Sequence, residues 1–429
     1  MPAFLIEGGY PLKGEVTPSG NKNAALPLLA ACLLTDEPVI LHNVPQIGDV
    51  HVMRQLLETM GVKIDDLKPH TWRVHADEIR DCDLDPDLAR QIRASVLLAG
   101  PMLGRKGGVN LPPPGGDVIG RRRVDTHLMA LKLLGAEVKY GEKEFSMRAP
   151  KGLSGTKILL DEASVTATEN AIMAAVVAPG ESMILNAASE PHVQELCIFL
   201  NQLGANIENI GSNSLIISGV EKLHGGEHTI GPDYLEVMSL IGAAVITGGE
   251  ITVRGAAPEY LAMARLVFNK LGVDWEIDGH DIFVPADQKM KVEFDIGEKI
   301  PQISVMPWPA FPTDLMSIAI VVATQCDGTV LFHDWMYETR MFFIDKLVSM
   351  GANIILCDPH RCIVQGPSKL FGEPLESPDI RAGLALTLAA LSAEGTSRIR
   401  NINQIDRGYE RIDEKLQSLG AHIQRLEDE

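Results

Sequence analysis

Aromatic side chains and paired cysteines are scarce in this sequence. Aromatic residues make up 5% of it, so its cores must be built mainly from aliphatic side chains. The six cysteines show no CxxC spacing, which is typical of reduced thiols and argues against a disulfide framework or a zinc site. No basic leader precedes a long apolar core, and no apolar run approaches the roughly 20 residues that a membrane helix needs. We therefore expect a cytoplasmic protein that does not insert into a membrane.

The chain also lacks an excess of positive charge. Its formal net charge is −19, which argues against nucleic acid or an anionic membrane as the main partner. An anionic substrate would need a local basic pocket within this acidic protein. No metal-ligating constellation stands out, so neither a metal nor a cofactor is expected. The length of 429 residues exceeds one ordinary core and favours two domains.

One short phrase recurs six times, at intervals of about 70 residues. It consists of leucine or methionine, then glycine, then a strand-like run. This pattern predicts an amphipathic helix that ends at a glycine and turns directly into a strand. The six glycines are Gly61, Gly135, Gly204, Gly272, Gly351 and Gly420.

Each repeat also contains an almost wholly apolar segment, which predicts a helix buried on all sides. The predicted buried helices cover residues 23–34, 94–103, 166–178, 235–247, 314–325 and 380–393. The repeating unit is therefore strand, buried helix, strand, amphipathic helix, strand, strand. Six units in two groups of three predict an α/β fold with two domains, each with its helices inside and its sheets outside.

Three cations stand at the starts of these buried helices. Lys22, Arg93 and Arg381 oppose the helix dipole there, which costs a few tenths to about 1 kcal/mol each unless an anion is present. Their placement predicts a polyanionic ligand. At two other starts, Asp233 and Asp379 are most simply explained as N-caps.

The prolines and glycines of residues 112–127 exclude a regular helix or a central strand and predict a shaped loop. The loop contains one acid, Asp117, and the cationic run Arg121, Arg122 and Arg123. Guanidinium groups beside glycines suit the binding of phosphate or carboxylate. A solvated surface turn is the alternative that this stretch alone leaves open.

Six motifs together resemble the UDP-N-acetylglucosamine enolpyruvyltransferase family. They are SGNKNAALPLLAA at 19–31, RASVLLAGP at 93–101, PGGDVIGRRRVDTH at 114–127, PAFPTD at 309–314, ETRMF at 338–342 and IDRGYERID at 405–413. The resemblance implies two inside-out α/β domains of three repeats each, formed by residues 22–230 and by residues 1–21 with 231–429, and an active site in the cleft between them. The shikimate-pathway enolpyruvyltransferases share this fold, but SGNKNAA and RQIRASV replace their PGDKSIS and GNAGTAMR motifs here.

The family transfers the enolpyruvyl group of phosphoenolpyruvate to the 3′-hydroxyl of UDP-N-acetylglucosamine and releases phosphate, in the first committed step of peptidoglycan synthesis. The reaction passes through a tetrahedral phospholactoyl intermediate, and its addition step needs an acid and a base. By resemblance Asp314 would be the base. Asp117 would be the acid, at a position where many members of the family carry cysteine. Fosfomycin alkylates that cysteine in the family. Because this chain has aspartate there, we expect fosfomycin not to inactivate the enzyme.

The resemblance also implies the residues that bind the two substrates. Lys22, Arg122 and Arg407 would hold the phosphate of phosphoenolpyruvate, and Lys22 and Arg407 would also act in catalysis. Its carboxylate would face Arg381 and Arg407, with Arg340 and Arg93 nearby. The other implied substrate-binding residues are Asn23, Arg123, Val124, Asp125, Thr126, Ser164, Val165, Thr166, Asp314, Met336 and Asp379.

Two departures from the family pattern remove positive charge from the implied nucleotide site. Tyr234 stands where many relatives have arginine, and Glu162 stands where lysine is common. Arg123 takes a position that is often proline, and it would restore some charge. A paralogue with another nucleotide or sugar acceptor is therefore an alternative, and a non-catalytic anion-binding repeat protein is a second. We expect a monomer or a weak homo-oligomer.

Overall fold

The computed structural model describes the whole chain except for a few residues, which are Asp81, Asp117, Val118, Arg121, Glu142, Lys143, Asp428 and Glu429. Two residues singled out by the sequence, Asp117 and Arg121, therefore lie outside the described residues.

The described residues form short helices that alternate with groups of strands. The α-helices are α1 (Lys22–Ala31), α2 (Gly48–Thr59), α3 (Pro86–Ala89), α4 (Ala99–Lys106), α5 (Asp125–Leu133), α6 (Val165–Ala175), α7 (Pro191–Gln202), α8 (Tyr234–Ile246), α9 (Ala262–Lys270), α10 (Met316–Thr324), α11 (Ile344–Ser349), α12 (Ile380–Ser392), α13 (Asn403–Asp406) and α14 (Ile412–Ser418). Short 3₁₀ helices cover Cys32–Leu34, Arg93–Leu98, Pro258–Tyr260 and Thr313–Leu315.

The strands are three to six residues long. They are β1 (Ala3–Glu7), β2 (Lys13–Val16), β3 (Val39–His42), β4 (Lys63–Lys68), β5 (Thr71–His75), β6 (Gly108–Leu111), β7 (Glu137–Tyr140), β8 (Phe145–Arg148), β9 (Lys157–Leu159), β10 (Glu181–Leu185), β11 (Asn206–Glu208), β12 (Ser214–Ser218), β13 (Gly226–Thr229), β14 (Glu250–Val253), β15 (Glu276–Asp278), β16 (Asp281–Val284), β17 (Gln302–Ser304), β18 (Gly328–His333), β19 (Ile354–Asp358), β20 (Arg361–Gly366), β21 (Pro374–Glu376), β22 (Thr396–Arg400) and β23 (His422–Leu426).

The contacts of the chain divide it into two compact units. The first unit consists of Met1–Ser19, Val118–Arg121 and Pro232–Glu429, and the second of Gly20–Asp117 and Arg122–Gly231. Each unit has its own hydrophobic core.

Each unit packs three sheets around three buried helices. The first unit has the sheets β21-β22-β1-β23, β15-β16-β14-β2 and β17-β18-β20-β19, and the second has β13-β3-β5-β4, β11-β12-β10-β9 and β6-β8-β7. In every four-stranded sheet one pair is parallel and two pairs are antiparallel. All residues of α8 and α10 are buried, as expected for helices without a polar face. The predicted α/β fold class, with helices inside and sheets outside, is confirmed.

The six repeated glycines end amphipathic helices, as the recurring phrase predicts. Each has a positive φ, between 75° at Gly272 and 112° at Gly135. A side chain is strained in this backbone conformation, so glycine is favoured at the turn from each helix into its strand.

The second repeat departs from the predicted pattern in two ways. The predicted helix 94–103 is a 3₁₀ helix followed by α4, because Pro101 is tolerated only in the first turn of an α-helix. Its sheet has three strands, and an isolated parallel bridge between Asp83 and Asn110 stands where the other sheets have a parallel strand. No helix in the described part of the chain combines the length and the apolarity needed to cross a membrane.

A buried carboxyl in α6 predicts a pH dependence of stability. Glu169 is 1% exposed, and its Oε1 has no hydrogen-bonding partner within the described residues. Burial, and secondarily the charge of Glu190, raises the pKa of Glu169 well above its ordinary value of 4.5. The native state therefore keeps a proton that the unfolded chain releases, so this group makes the free energy of unfolding fall as the pH rises from about 4.5 toward the folded pKa.

Replacement of Glu169 with glutamine removes this titration. We compare the melting temperature of Glu169→Gln minus that of the wild type, measured by differential scanning fluorimetry. This difference should be more positive at about pH 8 than at about pH 5. The exposed Glu208 in β11 offers a control, and Glu208→Gln should give the same difference at both pH values. An equal difference for Glu169→Gln at the two pH values would contradict a protonated Glu169.

Candidate active site

The Asp314 carboxylate in the first unit is held by two arginines. Asp314 lies in the 3₁₀ turn Thr313–Leu315, which precedes α10. The α-helix itself begins at Met316, two residues later than the sequence predicts. Arg340 Nη2 donates to Asp314 Oδ1 (2.9 Å), and Arg381 Nη2 donates to Asp314 Oδ2 (3.3 Å). The two arginine side chains are 3% and 6% exposed, against 29% for Asp314. Two buried arginines thus pair with one carboxylate that is more exposed than they are.

Tyr409 fixes the other end of the Arg381 guanidinium. Arg381 Nη1 donates to Tyr409 Oη (2.8 Å), and the guanidinium carbon lies 5.3 Å from the centre of the Tyr409 ring. Burial would lower the pKa of Arg381, but Tyr409 and Asp314 outweigh burial and raise it. The pKa of Tyr409 is also raised, in this case mainly by burial, so its hydroxyl stays neutral. Arg381 is therefore a permanent cation with a fixed direction.

Arg340 has hydrogen-bonding capacity to spare. It lies 3% exposed, and its Nε has no hydrogen-bonding partner within the described residues. Burial would lower the pKa of Arg340, but Asp314 and Asp379 outweigh burial and raise it. A buried donor without an acceptor carries a free-energy penalty that an anionic ligand would relieve.

The other predicted residues of the first unit have structural contacts of their own. Asp379 is the N-cap of α12 and accepts from the backbone N–H groups of Arg381 and Ala382, which confirms its interpretation as a cap. Arg407 Nη1 donates to Gln404 Oε1 (2.9 Å) at the end of α13. The backbone N–H of Met336 donates to Asp334 Oδ1 (3.0 Å).

Part of the predicted loop reaches the turn that carries Arg340. Ile119 belongs by its contacts to the first unit, and its carbonyl accepts from the backbone N–H of Thr339 (3.3 Å). Ile119 therefore packs beside the turn that carries Arg340. Asp117 itself lies outside the described residues.

In the second unit, Lys22 forms a nearly buried ion pair. It is the first residue of α1, and its Nζ lies 2.8 Å from Asp49 Oδ2 in α2. The two side chains are only 10% and 7% exposed. The neighbouring Asn23 is partly exposed, and its side-chain amide has no hydrogen-bonding partner among the described residues. This amide is available to a ligand.

Two of the cations at the helix starts have carboxylate partners within the protein. Asp49 pairs with Lys22, and Asp314 pairs with Arg381, so their charge is offset without a ligand. The predicted polyanionic ligand stays a prediction. Arg93 begins a 3₁₀ helix, where the dipole argument is weaker, and its Nη2 donates to the carbonyl of Arg123 (2.7 Å). An anionic substrate would have to compete with these carboxylates.

The implied nucleotide residues form an acidic surface cluster around Arg123. Arg123 pairs with Asp125 (2.9 Å) and Asp161 (3.5 Å), and Thr126 Oγ1 donates to Asp161 (2.7 Å). These carboxylates and the exposed Glu162 raise the pKa of Arg123. Its sequence position suggested that Arg123 would restore positive charge to this surface. In the structure these carboxylates already offset the charge of Arg123.

Two helix starts in this unit lack a capping side chain. Val124 is the N-cap of α5 and Ser164 the N-cap of α6, and neither side chain accepts a bond from the first turn. Val165 and Thr166 are the first two residues of α6. Arg122 is partly exposed, with no hydrogen bond or ion pair among the described residues. These groups remain accessible to an anion.

Tyr234 is part of the core. It is the first residue of α8, 3% exposed, and its ring centre lies 6.2 Å from that of Trp308. The departure from arginine at this position therefore exchanges a polar group for a packed aromatic one. Asp233 is the N-cap of α8, as its position predicts.

The described residues contain no group of three or more histidine, cysteine or acidic side chains arranged to hold a metal ion. His224 and His228 have an HxxxH spacing. His228 lies in the strand β13, however, and its two ring nitrogens contact Glu195 and Gln202 (3.0 and 2.8 Å).

Comparison with known proteins assigns the chain to one family. A model of the family described as EPSP synthase (3-phosphoshikimate 1-carboxyvinyltransferase) matches residues 6–416. The chain belongs to this family.

Curated relatives in the EPSP synthase family share about half of the residues of this chain. A protein of Bradyrhizobium diazoefficiens is 53% identical over 423 residues, covering 99% of this chain and 98% of the relative. A protein of Treponema denticola is 52% identical over 427 residues, with all of both chains covered. Both are named UDP-N-acetylglucosamine 1-carboxyvinyltransferase.

Solved structures of the family share the fold. The enolpyruvyl transferase NikO from Streptomyces tendae superimposes with a TM-score of 0.87 at 24% identity, over 100% of this chain and 99% of that one. An EPSP synthase from Acinetobacter baumannii gives 0.76 at 16% identity, with both chains fully covered. At these identities the likeness supports the fold alone.

Sequence reasoning missed two residues that contact predicted site residues, Asp49 beside Lys22 in the second unit and Tyr409 beside Arg381 in the first. Asp49 is acidic in the first turn of an amphipathic helix, where a carboxylate is ordinarily explained by the helix dipole. Tyr409 lies inside the IDRGYERID motif, which was the signal that could have drawn attention to it.

Proposed function

We propose that this chain transfers the enolpyruvyl group of phosphoenolpyruvate to the 3′-hydroxyl of UDP-N-acetylglucosamine. The observation that carries the proposal is the Asp314 carboxylate between two buried arginines, in a chain about half identical to relatives named for this activity. A proton acceptor next to permanent cations suits a reaction in which an anionic substrate is attacked by a hydroxyl. The product would enter peptidoglycan synthesis.

Arg381 and Arg407 would face the carboxylate of phosphoenolpyruvate, with Arg340 and Arg93 nearby. Arg381 and Arg340 are buried cations, and Arg340 Nε has no acceptor within the described residues. Planar guanidinium groups orient a carboxylate as well as neutralise it. Lys22, Arg122 and Arg407 would hold the phosphate. Lys22 must then exchange part of its contact with Asp49 for the phosphate oxygens.

Asp314 would be the general base of the addition step. The 3′-oxygen of the acceptor bonds to C2 of phosphoenolpyruvate, the hydroxyl proton passes to Asp314, and C3 takes a proton from the acid. In the elimination step C3 loses a proton, the bond between C2 and the phosphate oxygen breaks, and phosphate leaves. Because two guanidinium groups occupy the two oxygens of Asp314, substrate binding must draw at least one of them away before the base can act.

The acceptor would be bound mainly by the second unit. Asn23 offers a side-chain amide to the sugar, and Asp125 with its neighbours Arg123, Val124 and Thr126 would line the uridine. The uncapped start of α6 offers the backbone N–H groups of Val165 and Thr166 to the diphosphate. Ser164 is the third predicted contact, but its backbone N–H already donates to the carbonyl of Glu162 (2.8 Å). In the first unit, Met336 and Asp379 would complete the substrate contacts. The acidic cluster around Arg123 keeps open the alternative of a different nucleotide acceptor.

Asp117 would supply the proton to C3. Many members of the family have cysteine at this position, and fosfomycin alkylates that thiol. We expect incubation with fosfomycin to leave the activity of this enzyme unchanged and Asp117→Cys to make it sensitive, as measured by residual phosphate release over time. Time-dependent inactivation of the wild type, with a covalent adduct on Asp117 in peptide mass spectra, would contradict this expectation.

Phosphate release from phosphoenolpyruvate tests the proposed function. The wild type should release phosphate with UDP-N-acetylglucosamine and not without an acceptor. Release with another nucleotide sugar alone would favour the paralogue alternative, and binding of phosphoenolpyruvate without release for any acceptor would favour the non-catalytic one. We place the reaction in the cytoplasm, where phosphoenolpyruvate and nucleotide sugars are made.

A further inference from the structure

His127 is a buried titratable residue that the proposed mechanism does not use. It lies 1% exposed in α5, directly after the implied nucleotide residues Asp125 and Thr126. Its Nε2 lies 3.0 Å from Thr166 Oγ1, and its Nδ1 lies 2.9 Å from Asn170 Nδ2. The imidazole thus connects the implied uridine residues to the first turn of α6 within one unit.

The surrounding hydrogen bonds determine which ring nitrogen carries the proton. The backbone N–H of Gly100 donates to Asn170 Oδ1 (2.7 Å), so this oxygen is the acceptor and Nδ2 is the donor. Asn170 Nδ2 also donates to the carbonyl of Val96 (2.8 Å), which requires the same orientation of the amide. His127 Nδ1 must therefore accept, and the proton of the neutral ring lies on Nε2.

A second consequence concerns the hydroxyl of Thr166. Because His127 Nε2–H donates to Thr166 Oγ1, the hydroxyl is an acceptor toward the ring, and its own hydrogen points elsewhere. Within the described residues this hydroxyl has no other hydrogen-bonding partner. Burial, and secondarily the charge of Arg93, lowers the pKa of His127 to about 3, so the ring is neutral at physiological pH.

We propose that the Thr166 hydroxyl is a hydrogen-bond donor to the diphosphate of the acceptor, and that His127, held by Asn170, is the positioning residue that directs it. This inference rests on the proposed function, and it adds a side-chain contact to the backbone N–H groups of α6. A hydroxyl approaches an anionic oxygen only as a donor, and the ring N–H leaves the hydroxyl hydrogen of Thr166 free for this bond. Because the ring N–H occupies one of the two lone pairs, the hydroxyl has less to offer a cation or a donor group at this position than a phosphate oxygen.

The tautomer is tested without any substrate. In the full chain labelled with ¹⁵N-histidine, the ring signals of His127, assigned by their loss in His127→Gln, should show a proton on Nε2 and an unprotonated Nδ1. This pattern should persist from pH 8 down to about pH 5. A proton on Nδ1, or an imidazolium ring at neutral pH, would overturn the proposal.

The role of Thr166 is tested by binding. Titration calorimetry with UDP-N-acetylglucosamine should give a dissociation constant about 10-fold or more weaker for Thr166→Val, since a hydrogen bond to a charged group is lost. Thr166→Ser, which keeps the hydroxyl, should restore most of the affinity. The KM for phosphoenolpyruvate should change by less than about twofold in both variants. Equal affinity of Thr166→Val and the wild type would overturn the proposal.

The two proposals fail separately. If the wild type releases phosphate with UDP-N-acetylglucosamine while Thr166→Val binds this acceptor as tightly as the wild type, only the inference about Thr166 falls. If the wild type neither binds nor turns over this acceptor, the proposed function and the assignment of Thr166 to its diphosphate both fall. In that case the tautomer of His127 still stands or falls on its ring signals.

Discussion

Asparagine in place of Asp314 is expected to lower kcat by about 10²- to 10⁴-fold, the usual contribution of a positioned general base. The amide keeps the size of the carboxylate and an oxygen for Arg340 or Arg381, but it cannot take the proton of the acceptor hydroxyl. Binding should suffer less than turnover, because the cations that hold phosphoenolpyruvate remain. The measurement is steady-state phosphate release at saturating concentrations of both substrates.

A surface pair in the same unit offers a matched control. Asp358 is paired with Arg361 through an exposed ion pair, so Asp358→Asn also removes one carboxylate from one arginine. Exposed pairs contribute little, and kcat of this variant should stay within about twofold of the wild type. If Asp314→Asn were as active as Asp358→Asn, Asp314 would not be the base.

Lysine in place of Arg381 is expected to raise the KM for phosphoenolpyruvate by about 10- to 100-fold, the equivalent of one lost hydrogen bond between charged groups. The charge is kept, but a single ammonium cannot reach both Tyr409 Oη and the Asp314 side, which the two ends of the guanidinium now contact. The KM for UDP-N-acetylglucosamine should change much less. Initial rates with each substrate varied in turn give both constants.

Two further variants qualify this result. Arg361→Lys makes the same exchange in the exposed pair with Asp358 and should leave both KM values unchanged. Tyr409→Phe keeps the guanidinium but removes its second acceptor, so it should raise the KM for phosphoenolpyruvate by less than Arg381→Lys does. Equal KM values for Arg381→Lys and the wild type would exclude a role of the guanidinium fork in binding phosphoenolpyruvate.

The repeated architecture could be predicted because it depends on local sequence. The six glycines need a positive φ where helix turns into strand, and no other residue adopts that backbone as readily. A segment such as α8, apolar on every face, is stable only when it is buried on all sides. The exceptions are also local in origin, as Pro101 shows by its effect on the start of α4.

The arrangement of the candidate site could be predicted less well, because it depends on contacts between residues far apart in the chain. Nothing near Lys22 indicates that Asp49 would neutralise it, and nothing near Arg381 indicates that it shares Asp314 with Arg340. Sequence motifs identified the charged residues but not their partners. In this structure those partners decide how many cations are available to an anionic substrate.

The position of the transferred group is the most direct test of the account. Phosphoenolpyruvate labelled with ¹³C at C2 would be incubated with UDP-N-acetylglucosamine and the enzyme, and the product analysed by NMR. The account predicts an enol ether whose labelled carbon is coupled through oxygen to C3′ of the sugar, in an amount equal to the phosphate released. A label found only in pyruvate, or on another oxygen of the acceptor, would contradict it.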